Sequence, residues 1–297
     1  MPKREVMKVG SREIPFSSPD KVLFPDDGIT KGDLAAYYRR VARTMLPHVR
    51  GRPISMQRFP EGIGQKGFYH KQVPDYFPDW IATAQIEVKD DGEIQPQVII
   101  EEAATLVFLV QQNTITPHTW LSRADRIDYP DKIVFDLDPA TDDFSAACRA
   151  APWLKAALEH VGLVPFVMTS GSRGLHVVAP LDRSANFDAT RDFAKRLADR
   201  VAAEHPDDLT TEFAKHEREG RLFVDYLRNG YAATSVPPYA VRARPGAPVA
   251  TPLRWEELDE PGINARSYNT RNLLDRLDKV GDPWHDFFKK APKLPSV

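Results

Sequence analysis

Hydrophobic and polar positions along the chain switch between helical and strand spacing, and so predict a mixed fold. After residue 30, apolar side chains recur at helical spacing, and Thr30 with Asp33 forms the Ser/Thr-x-x-acid pattern of a helix start. Proline cannot donate the backbone hydrogen bond that continues a helix, so we expect this helix to end at about Pro47. Residues 101–112 predict a second, buried helix.

The rest of the chain continues this interleaving. Helices are predicted over residues 144–160 and 186–204, the second capped by Asn186. Short strands and loops are predicted over residues 53–72, and the Pro/Gly-rich residues 237–252 are expected to form an ordered loop that crosses the surface. Longer strands are predicted over residues 133–138, 163–168, 175–180 and 222–227. Because strands and helices do not alternate regularly, the pattern favours an α+β fold with mixed or antiparallel sheets flanked by helices.

Composition is that of an ordinary globular chain. With 297 residues, of which 42% are hydrophobic, the chain can bury a sizeable core. The longest apolar run, at residues 106–110, is too short to cross a bilayer, so we expect no membrane partner. Cys148 is the only cysteine, which excludes an internal disulfide and fits a reducing cytoplasm.

Charge is distributed unevenly, although its sum is small. Lys and Arg number 40 against 42 Asp and Glu, and this net charge of -2 by itself weakly opposes a nucleic-acid partner. Two tracts, residues 39–58 and 226–255, contain arginines and no acidic residue. They predict local anion-binding surfaces, unless folding brings acidic side chains beside them.

Two aspartates end the most informative strand. Residues 133–139 read Ile-Val-Phe-Asp-Leu-Asp-Pro, so Asp136 and Asp138 share one face while Leu137 points into the core. Paired carboxylates of this kind hold Mg²⁺ or Mn²⁺ against phosphate oxygens, and they predict a metal site. The alternative is a strand end whose aspartates only cap the following turn.

Polar residues later in the chain indicate that these metals bind a phosphate-containing substrate. Asp225, with apolar neighbours, is a third carboxylate on a separate predicted strand and completes the ligands for two-metal phosphoryl transfer. Residues 170–174, Ser-Gly-Ser-Arg-Gly, are small enough to let backbone N–H groups approach a polyphosphate. The side chains expected to contact the same anion are Ser170, Ser172, Arg173, His176, Arg228 and Arg242. A plain hairpin, a structural histidine or a turn-capping aspartate would each explain one of these features alone.

Together these motifs resemble the polymerase domain of bacterial ligase D and its free-standing relatives, in the archaeo-eukaryotic primase superfamily. The resemblance covers about residues 17–268, with several motifs in the family's order. They are Asp-Lys-Val-Leu-Phe-Pro at 20–25, Gly-Arg-Pro at 51–53, Lys-Gln at 71–72, Val-Phe-Asp-Leu-Asp-Pro at 134–139, Thr-Ser-Gly-Ser-Arg-Gly-Leu-His at 169–176 and Val-Asp-Tyr at 224–226. The resemblance implies a primase-like α+β fold of two closely packed lobes, forming a single domain over 1–297. Residues 1–16 are then an N-terminal extension, and residues 289–297 are a flexible tail.

The resemblance also implies roles in catalysis and nucleotide binding. It makes the three aspartates, Asp136, Asp138 and Asp225, the ligands of the catalytic metals, usually Mn²⁺, with Mg²⁺ as the other candidate. The side chains that match nucleoside triphosphate contacts in the family are His118, Ser170, His176, Arg228 and Arg242.

Roles in DNA binding follow from the same resemblance. Lys21 and Lys31 match basic residues that hold the 5'-phosphate at a DNA gap or break, and Arg58 is a third positive group there. Phe68 and Tyr69 match an aromatic pair that stacks on template bases. The alternative for Phe68 alone is a place in the core.

The chain departs from the family pattern at two positions. Arg173 stands where some relatives have lysine, which keeps the charge and changes its geometry. Gln57 stands where the family often has a second basic residue, so a weaker 5'-phosphate pocket is expected.

The same residues are compatible with two other functions. A phosphatase of the haloacid dehalogenase type also has an apolar strand that ends in Asp-x-Asp, with Asp136 as the nucleophile and Asp138 as the acid. It is disfavoured because Ala140 stands where threonine is usual and because 135 residues precede the motif. A DNA-end-binding module without activity is also disfavoured, because three carboxylates near a phosphate loop repel DNA unless metals offset them.

The sequence therefore predicts a template-dependent nucleotidyltransferase that extends a 3'-hydroxyl at DNA gaps or double-strand breaks, using two divalent ions. The expected partners are DNA with a 5'-phosphate and nucleoside triphosphates. The resemblance adds a preference for ribonucleotides, a role in DNA repair such as non-homologous end joining, and Ku and a DNA ligase as candidate protein partners. We expect a cytoplasmic location, at the nucleoid.

Overall fold

The computed structural model describes residues 4–87, 92–141 and 143–295. Its helices are α1 Lys31–Val49, α2 Ala103–Gln111, α3 Phe144–His160, α4 Phe187–Glu204 and α5 Leu273–Val280. Its strands are β1 Arg4–Val9, β2 Arg12–Ser17, β3 Val22–Phe24, β4 Ile29–Thr30, β5 Ile54–Arg58, β6 Phe68–His70, β7 Thr83–Glu87, β8 Ile94–Val98, β9 Thr114–Trp120, β10 Lys132–Asp138, β11 Phe166–Thr169, β12 Leu175–Pro180, β13 Leu209–Thr210, β14 Leu222–Asp225, β15 Thr234–Ser235 and β16 Thr251–Leu253. Among these elements, none of the helices has the length and hydropathy that a membrane span requires.

Contacts within the chain divide it into two compact units, each made of separate segments. Unit 1 comprises Met1–Trp120, Thr234–Val249 and Tyr268–Lys279, and unit 2 comprises Leu121–Ala233, Ala250–Ser267 and Val280–Val297. The single domain over 1–297, its extension and its flexible tail stay predictions. Residues 1–3 of that extension and 296–297 of that tail lie outside the described residues.

Unit 1 combines α1 and α2 with a four-stranded sheet in the order β15-β9-β5-β6. Helix α1 begins where the sequence predicts, because Thr30 and Asp33 form a reciprocal capping box. Its buried face, which includes Leu34 and Met45, packs against α2. Among the described strands, β6 pairs with β5 alone, so β6 is an edge strand of this sheet. The other strands of this unit form the hairpins β1-β2, β3-β4 and β7-β8.

Two predictions in unit 1 are wrong. Pro47 does not end α1, which continues to Val49, because only the N–H of Pro47 is missing and Arg50 still donates to the Leu46 carbonyl at 2.9 Å. The segment predicted to cross the surface at 237–252 is instead largely buried, with Tyr239 and Val241 at 0% exposure. Proline and glycine marked its turns correctly, but they carry no information about burial.

Unit 2 is a six-stranded sheet in the order β13-β14-β10-β12-β11-β16. Only β13 and β14 pair in parallel among these described strands, and the other pairs are antiparallel, so the predicted mixed sheet is confirmed. Strand β10 lies in the interior of the sheet, where Phe135 and Leu137 are fully buried. Helices α3 and α4 pack against β10 and its neighbours. The sheet therefore holds the end of β10 rigidly between β12 and β14.

Element ends in unit 2 differ from prediction for local reasons. The strand predicted from residue 163 begins at Phe166, because the preceding residues complete the end of α3. There Gly162 has φ +82°, and Leu163 donates to the Leu158 carbonyl at 3.0 Å, as in a Schellman motif. The strand predicted to residue 227 ends at Asp225, whose Oδ1 accepts the Leu227 N–H at 2.8 Å and turns the chain.

Candidate functional site

The end of β10 places Asp136 between two other polar side chains. In the antiparallel register, Asp136 is the direct partner of His176 on β12 and of Asp225 on β14. Directly opposed residues lie on the same face of a sheet. The His176 Nε2 atom is 3.5 Å from Asp136 Oδ1. The structure therefore brings together three of the predicted site residues, which come from separate parts of the sequence.

Asp225 carries its negative charge in an unfavourable environment. Burial raises the pKa of the Asp225 carboxyl above its usual value, and the neighbouring Asp136 carboxylate raises it further. The Arg228 guanidinium opposes this rise, with its Nε 3.5 Å from Asp225 Oδ2. A buried carboxylate beside a second carboxylate favours a cation next to them.

Asp138 shares the face of Asp136 and pairs with arginine. Its carboxylate accepts from Arg173 at 3.1 and 3.3 Å, and Arg218 lies 3.9 Å away. The Arg218 side chain is 8% exposed, and its guanidinium lies 4.0 Å from the centroid of the Phe223 ring. In this arrangement, Asp138 is held by cationic side chains.

A divalent metal fits the chemistry of these donors. Three carboxylates offer the oxygen ligands that Mg²⁺ and Mn²⁺ prefer, and two of them lie side by side on paired strands. With Asp138 bonded to Arg173, no three His, Cys, Asp or Glu side chains of the described ranges form a ready metal cluster. Asp138, the third carboxylate, is engaged by Arg173 in this structure.

The loop of residues 170–174 joins β11 to β12 and is organised by its own first side chain. Ser170 Oγ accepts from the backbone N–H of Ser172 at 3.3 Å and of Gly174 at 3.2 Å. The Ser170 N–H in turn donates to the Gly174 carbonyl at 2.9 Å. Three of the loop's backbone N–H groups, those of Ser170, Ser172 and Gly174, are thus bonded within the loop in this structure.

Gly174 brings this loop against β10. A Cβ atom at residue 174 would overlap the carbonyl oxygen of Leu137, the residue between the two aspartates. Only glycine permits this approach of one backbone to another. On the outer side, Arg266 Nε donates to the Ser172 carbonyl at 2.8 Å. The position of the loop beside Asp138 is therefore set by Gly174 and Arg266.

Lys21 and Lys31 lie together in unit 1, as expected. The Lys31 N–H donates to the Lys21 carbonyl at 2.8 Å, and the two ammonium groups repel each other. Burial, with the charge of Lys21 as a smaller cause, lowers the pKa of Lys31 to about 8. Lys31 Nζ donates to the Ser17 carbonyl at 3.0 Å, and Lys21 Nζ is 3.3 Å from Glu61.

Arg58 has a different set of contacts from these lysines. Its Nε donates to the Gln112 carbonyl at 2.9 Å, and its Nη1 contacts His70 Nδ1 at 3.1 Å. The guanidinium lies 5.7 Å from the centroid of the Phe68 ring. Phe68 is 47% exposed, so the alternative that it belongs to the core is wrong.

The remaining predicted residues of unit 1 are Tyr69, His118 and Arg242. Tyr69 is 58% exposed, and its ring meets His118 edge-on with centroids 5.5 Å apart. His118 is 8% exposed on β9, directly opposite Ser55. Arg242 lies in the buried 236–249 segment, where its N–H donates to the Pro248 carbonyl at 2.8 Å. Their contacts with a nucleotide or a template stay predictions.

The sequence did not identify three residues that shape the unit 2 site. They are Arg218, Gly174 as a packing residue, and Arg266. Arg218 and Arg266 stand in polar, aperiodic stretches, so no local pattern singles them out. The small size of Gly174 is visible in the sequence, but its close packing against Leu137 is not.

Comparison with known proteins points to one family. The family model described as LigD, primase-polymerase domain, matches residues 30–284. A solved structure, the polymerase domain from Mycobacterium tuberculosis ligase D in complex with DNA, is 33% identical with a TM-score of 0.87. The match covers 94% of this chain and 99% of that one. The similarity in fold supports the primase-like α+β architecture.

Curated relatives give the same result. The multifunctional non-homologous end joining DNA repair protein LigD of Mycobacterium tuberculosis is 34% identical over 280 residues, which is 91% of this chain and 36% of the relative. The multifunctional non-homologous end joining protein LigD of Pseudomonas aeruginosa is 34% identical over 92% of this chain and 32% of its own length. The bifunctional LigD of Bacillus subtilis is 30% identical over 95% and 45%. The chain thus spans about a third to under half of the length of these relatives.

Proposed function

The chain belongs to the LigD primase-polymerase domain family, and from this premise we propose that it is a template-dependent nucleotidyltransferase. Its reaction would extend a 3'-hydroxyl at DNA gaps or double-strand breaks with nucleoside triphosphates. The observation that carries the proposal is the register of unit 2, where Asp136 lies directly between Asp225 and His176. A cross-strand carboxylate pair at the end of a rigid strand is suited to phosphoryl transfer.

Asp136, Asp225 and Asp138 would hold the divalent ions of this reaction. When bound, such ions activate the attacking 3'-oxygen and stabilise the departing pyrophosphate. Manganese rather than magnesium is the finer proposal. The choice of manganese follows from the family resemblance alone. The raised pKa of Asp225, caused by burial and then by Asp136, supports a divalent cation of either kind, because a nearby positive charge offsets both effects.

We further propose that arginines near the three aspartates bind the triphosphate. Asp138 would hold a cation in place of Arg173, and the Arg173 guanidinium, at the edge of the 170–174 loop, would then be available to pair with the triphosphate. Arg228, 48% exposed beside Asp225, is a further cation for the same anion. We keep the predicted nucleotide-binding roles of the remaining residues, which are Ser170, Ser172, His176, His118 and Arg242.

Lys21 and Lys31 suit a 5'-phosphate on the DNA. Two neighbouring ammonium groups repel each other, and burial makes the charge of Lys31 still less favourable. An anion bound by both would offset this repulsion and the cost of burying the Lys31 charge, so the pair suits a dianionic phosphate. Glu61, which contacts Lys21 and is 72% exposed, can move away without disturbing the core.

A role in end joining is proposed from the relatives. Their names describe non-homologous end joining, and one solved structure holds DNA. On the same basis we propose Ku and a DNA ligase as protein partners, a preference for ribonucleotides, and a location at the nucleoid. Neither the comparisons nor the fold supports the phosphatase alternative, because the matched family is a polymerase family.

Primer extension tests this function. The protein is given Mn²⁺, ribonucleotides and a primed template with a 5'-phosphorylated gap, and the wild type should extend the primer. Asp138→Ala should reduce extension at least about 100-fold while DNA binding is kept, because the lost carboxylate is a proposed metal ligand and its two other partners, Arg173 and Arg218, are cations that do not repel DNA. Asp192→Ala, which removes an exposed carboxylate from α4 of the same unit, is the control and should extend normally. Normal extension by Asp138→Ala, or no extension by the wild type with either metal, would refute the proposal.

A further inference from the structure

One face of the four-stranded sheet in unit 1 collects polar side chains. In the antiparallel register, Ser55 on β5 is the direct partner of His118 on β9, and Gln57 on β5 is the direct partner of Tyr69 on β6. Directly opposed residues, and residues two apart on one strand, lie on the same face. The contact between the Tyr69 and His118 rings agrees with this. His118, a predicted nucleotide contact, therefore has Ser55 as its cross-strand neighbour.

The Ser55 hydroxyl is buried without a hydrogen bond. Ser55 is 3% exposed, and its Oγ has no hydrogen-bond partner among the residues that the structure describes. A hydroxyl that leaves water without gaining a partner costs free energy of folding, and few buried polar groups are left in this state. A contribution to the stability of the free protein therefore does not explain this side chain.

A second hydroxyl on the same face is satisfied. Thr116, two residues before His118 on β9, is fully buried and donates from Oγ1 to the Val241 carbonyl at 2.6 Å. That bond joins the sheet to the segment that carries Arg242, another predicted nucleotide contact. The structural hydroxyl of this face thus has its partner within the protein, whereas the Ser55 hydroxyl, opposite His118, does not.

The position of Ser55 allows it to act on the His118 ring. The Cβ atoms of directly opposed residues in an antiparallel pair are about 4.5–5.5 Å apart. Rotation about the side-chain bonds of His118 can therefore bring one ring nitrogen within hydrogen-bond distance of Ser55 Oγ. A neutral imidazole accepts through one nitrogen and donates through the other. A hydroxyl that donates to the first nitrogen fixes the proton on the second, which can then donate to an oxygen of a ligand.

We infer that Ser55 positions His118 for the nucleoside triphosphate. In the complex, the Ser55 hydroxyl donates to one ring nitrogen of His118, and the other ring nitrogen donates to a phosphate or sugar oxygen of the nucleotide. This inference rests on the proposed function and adds a residue that no motif indicated. Ser55 gains its partner only in the complex, so its hydroxyl lowers stability in the free protein and raises affinity for the nucleotide.

Thermal unfolding and nucleotide binding, measured on the same variant, test both halves of this inference. Ser55→Ala removes a hydroxyl that has no partner, so it should unfold at the wild-type temperature or about 2 °C above it. Its Kd for ATP with Mn²⁺, measured by isothermal titration calorimetry, should rise at least about threefold. In primer extension, KM for the ribonucleotide should rise by the same factor while kcat stays within about twofold, because the lost contact is present before the chemical step.

Two further variants separate positioning from a general effect of the lost hydroxyl. Thr119 lies next to His118 on β9 but on the opposite face, and its buried Oγ1 likewise has no partner in the described ranges. Thr119→Val should therefore match the unfolding temperature of Ser55→Ala and bind ATP like the wild type. The double variant Ser55→Ala with His118→Ala should bind ATP no more weakly than His118→Ala, because Ser55 acts through that ring.

The inference and the proposed function fail in different ways. If the wild type extends primers and Ser55→Ala binds ATP equally well, the inference alone falls. It also falls if Ser55→Ala unfolds more than about 2 °C below the wild type, since its hydroxyl then has a partner in the free protein. Losses that add in the double variant, or an equal loss in Thr119→Val, overturn it too. If the wild type neither binds ATP nor extends primers, the proposed function falls and takes the inference with it.

Discussion

At the scale of single residues, the chemistry of this protein depends on partners that come from other strands. The period of two along β10 correctly placed Asp136 and Asp138 on one face. The neighbours of Asp136 could not be predicted in the same way. Pairing of β10 with β14 and β12 joins residues distant in sequence, and no local pattern encodes that register. Arg218 was missed for the same reason.

Gly174 is the residue whose replacement should disturb the unit 2 site most directly. In Gly174→Ala, the new Cβ overlaps the Leu137 carbonyl, so the loop or the strand must move. We expect the free energy of unfolding to fall by at least about 2 kcal/mol and primer extension to be strongly reduced. Urea denaturation measures the first effect. Gly230→Ala is the matched control, because its nearest neighbour is 3.5 Å away, and it should stay within about 0.5 kcal/mol of the wild type. Equal stability of the two variants would contradict the packing role.

The lowered pKa of Lys31 sets the direction in which this residue makes stability depend on pH. Its pKa is about 8 in the folded protein, lowered by burial and by Lys21, against 10.5 as its usual value. Below pH 8, Lys31 is charged in both states and the charge is unfavourable in the folded one. Between about pH 8 and 10.5, the unfolded chain keeps a proton that the folded protein has lost, so this group makes stability rise with pH.

Replacing Lys31 by methionine should remove that rise. We expect Lys31→Met to be more stable than the wild type at about pH 7, and its advantage to shrink as the pH approaches 10. Urea denaturation of both proteins across this pH range measures the difference in their free energies of unfolding. Titratable groups that both proteins contain contribute equally and drop out of this difference. A difference that does not change with pH would show that the pKa of Lys31 is not lowered.

At the scale of elements, helix signals in the sequence were reliable where a side chain caps the helix. Thr30 and Asn186 cap helices that begin at the predicted residues, and α3 covers the predicted range 144–160. Strand ends were predicted less well. The start of β11 and the end of β14 are set by the Schellman closure of α3 and by the turn at Asp225. Such turns use hydrogen bonds that hydrophobic periodicity does not report.

The capping box of α1 supplies an element-scale prediction. In Thr30→Ala, the Asp33 N–H loses the Oγ1 acceptor that it contacts at 3.1 Å. The free energy of unfolding should fall by about 1 kcal/mol, measured by urea denaturation. Thr30→Ser keeps the hydroxyl and should recover most of that loss. If Thr30→Ser is as destabilised as Thr30→Ala, the hydroxyl is not what stabilises the start of α1.

At the scale of the whole molecule, composition predicted a sizeable core and the order of helices and strands predicted an α+β fold, but neither predicted how the segments are distributed between the two units. Each unit takes segments from separate parts of the sequence. Most residues of the Pro/Gly-rich stretch 237–249 are buried in unit 1, although Arg244 and Pro245 are exposed and the composition is typical of a surface loop. Burial follows from long-range packing, which composition does not describe. Family motifs, by contrast, identified the fold over most of the chain, as the family match to residues 30–284 shows.

Charge gives a prediction for the molecule as a whole. Its net charge is -2, yet the cations Arg39, Arg40 and Arg43 are exposed on α1 without an acid in their tract. DNA binding should therefore depend on local cations and fall at least about tenfold between 50 and 200 mM salt. Anisotropy at several salt concentrations measures this slope. Affinity that is independent of salt would show that these basic surfaces do not contact DNA phosphates.

The most direct test of the central claim is Mn²⁺ binding by the protein alone, followed by electron paramagnetic resonance. The claim is that Asp136, Asp138 and Asp225, from two paired strands, hold the divalent ions that the reaction uses. The account predicts that the wild type and the control Asp192→Asn bind Mn²⁺ equally, and that Asp225→Asn binds at least about tenfold more weakly because a ligand charge is lost. Undiminished Mn²⁺ binding by Asp225→Asn would contradict it.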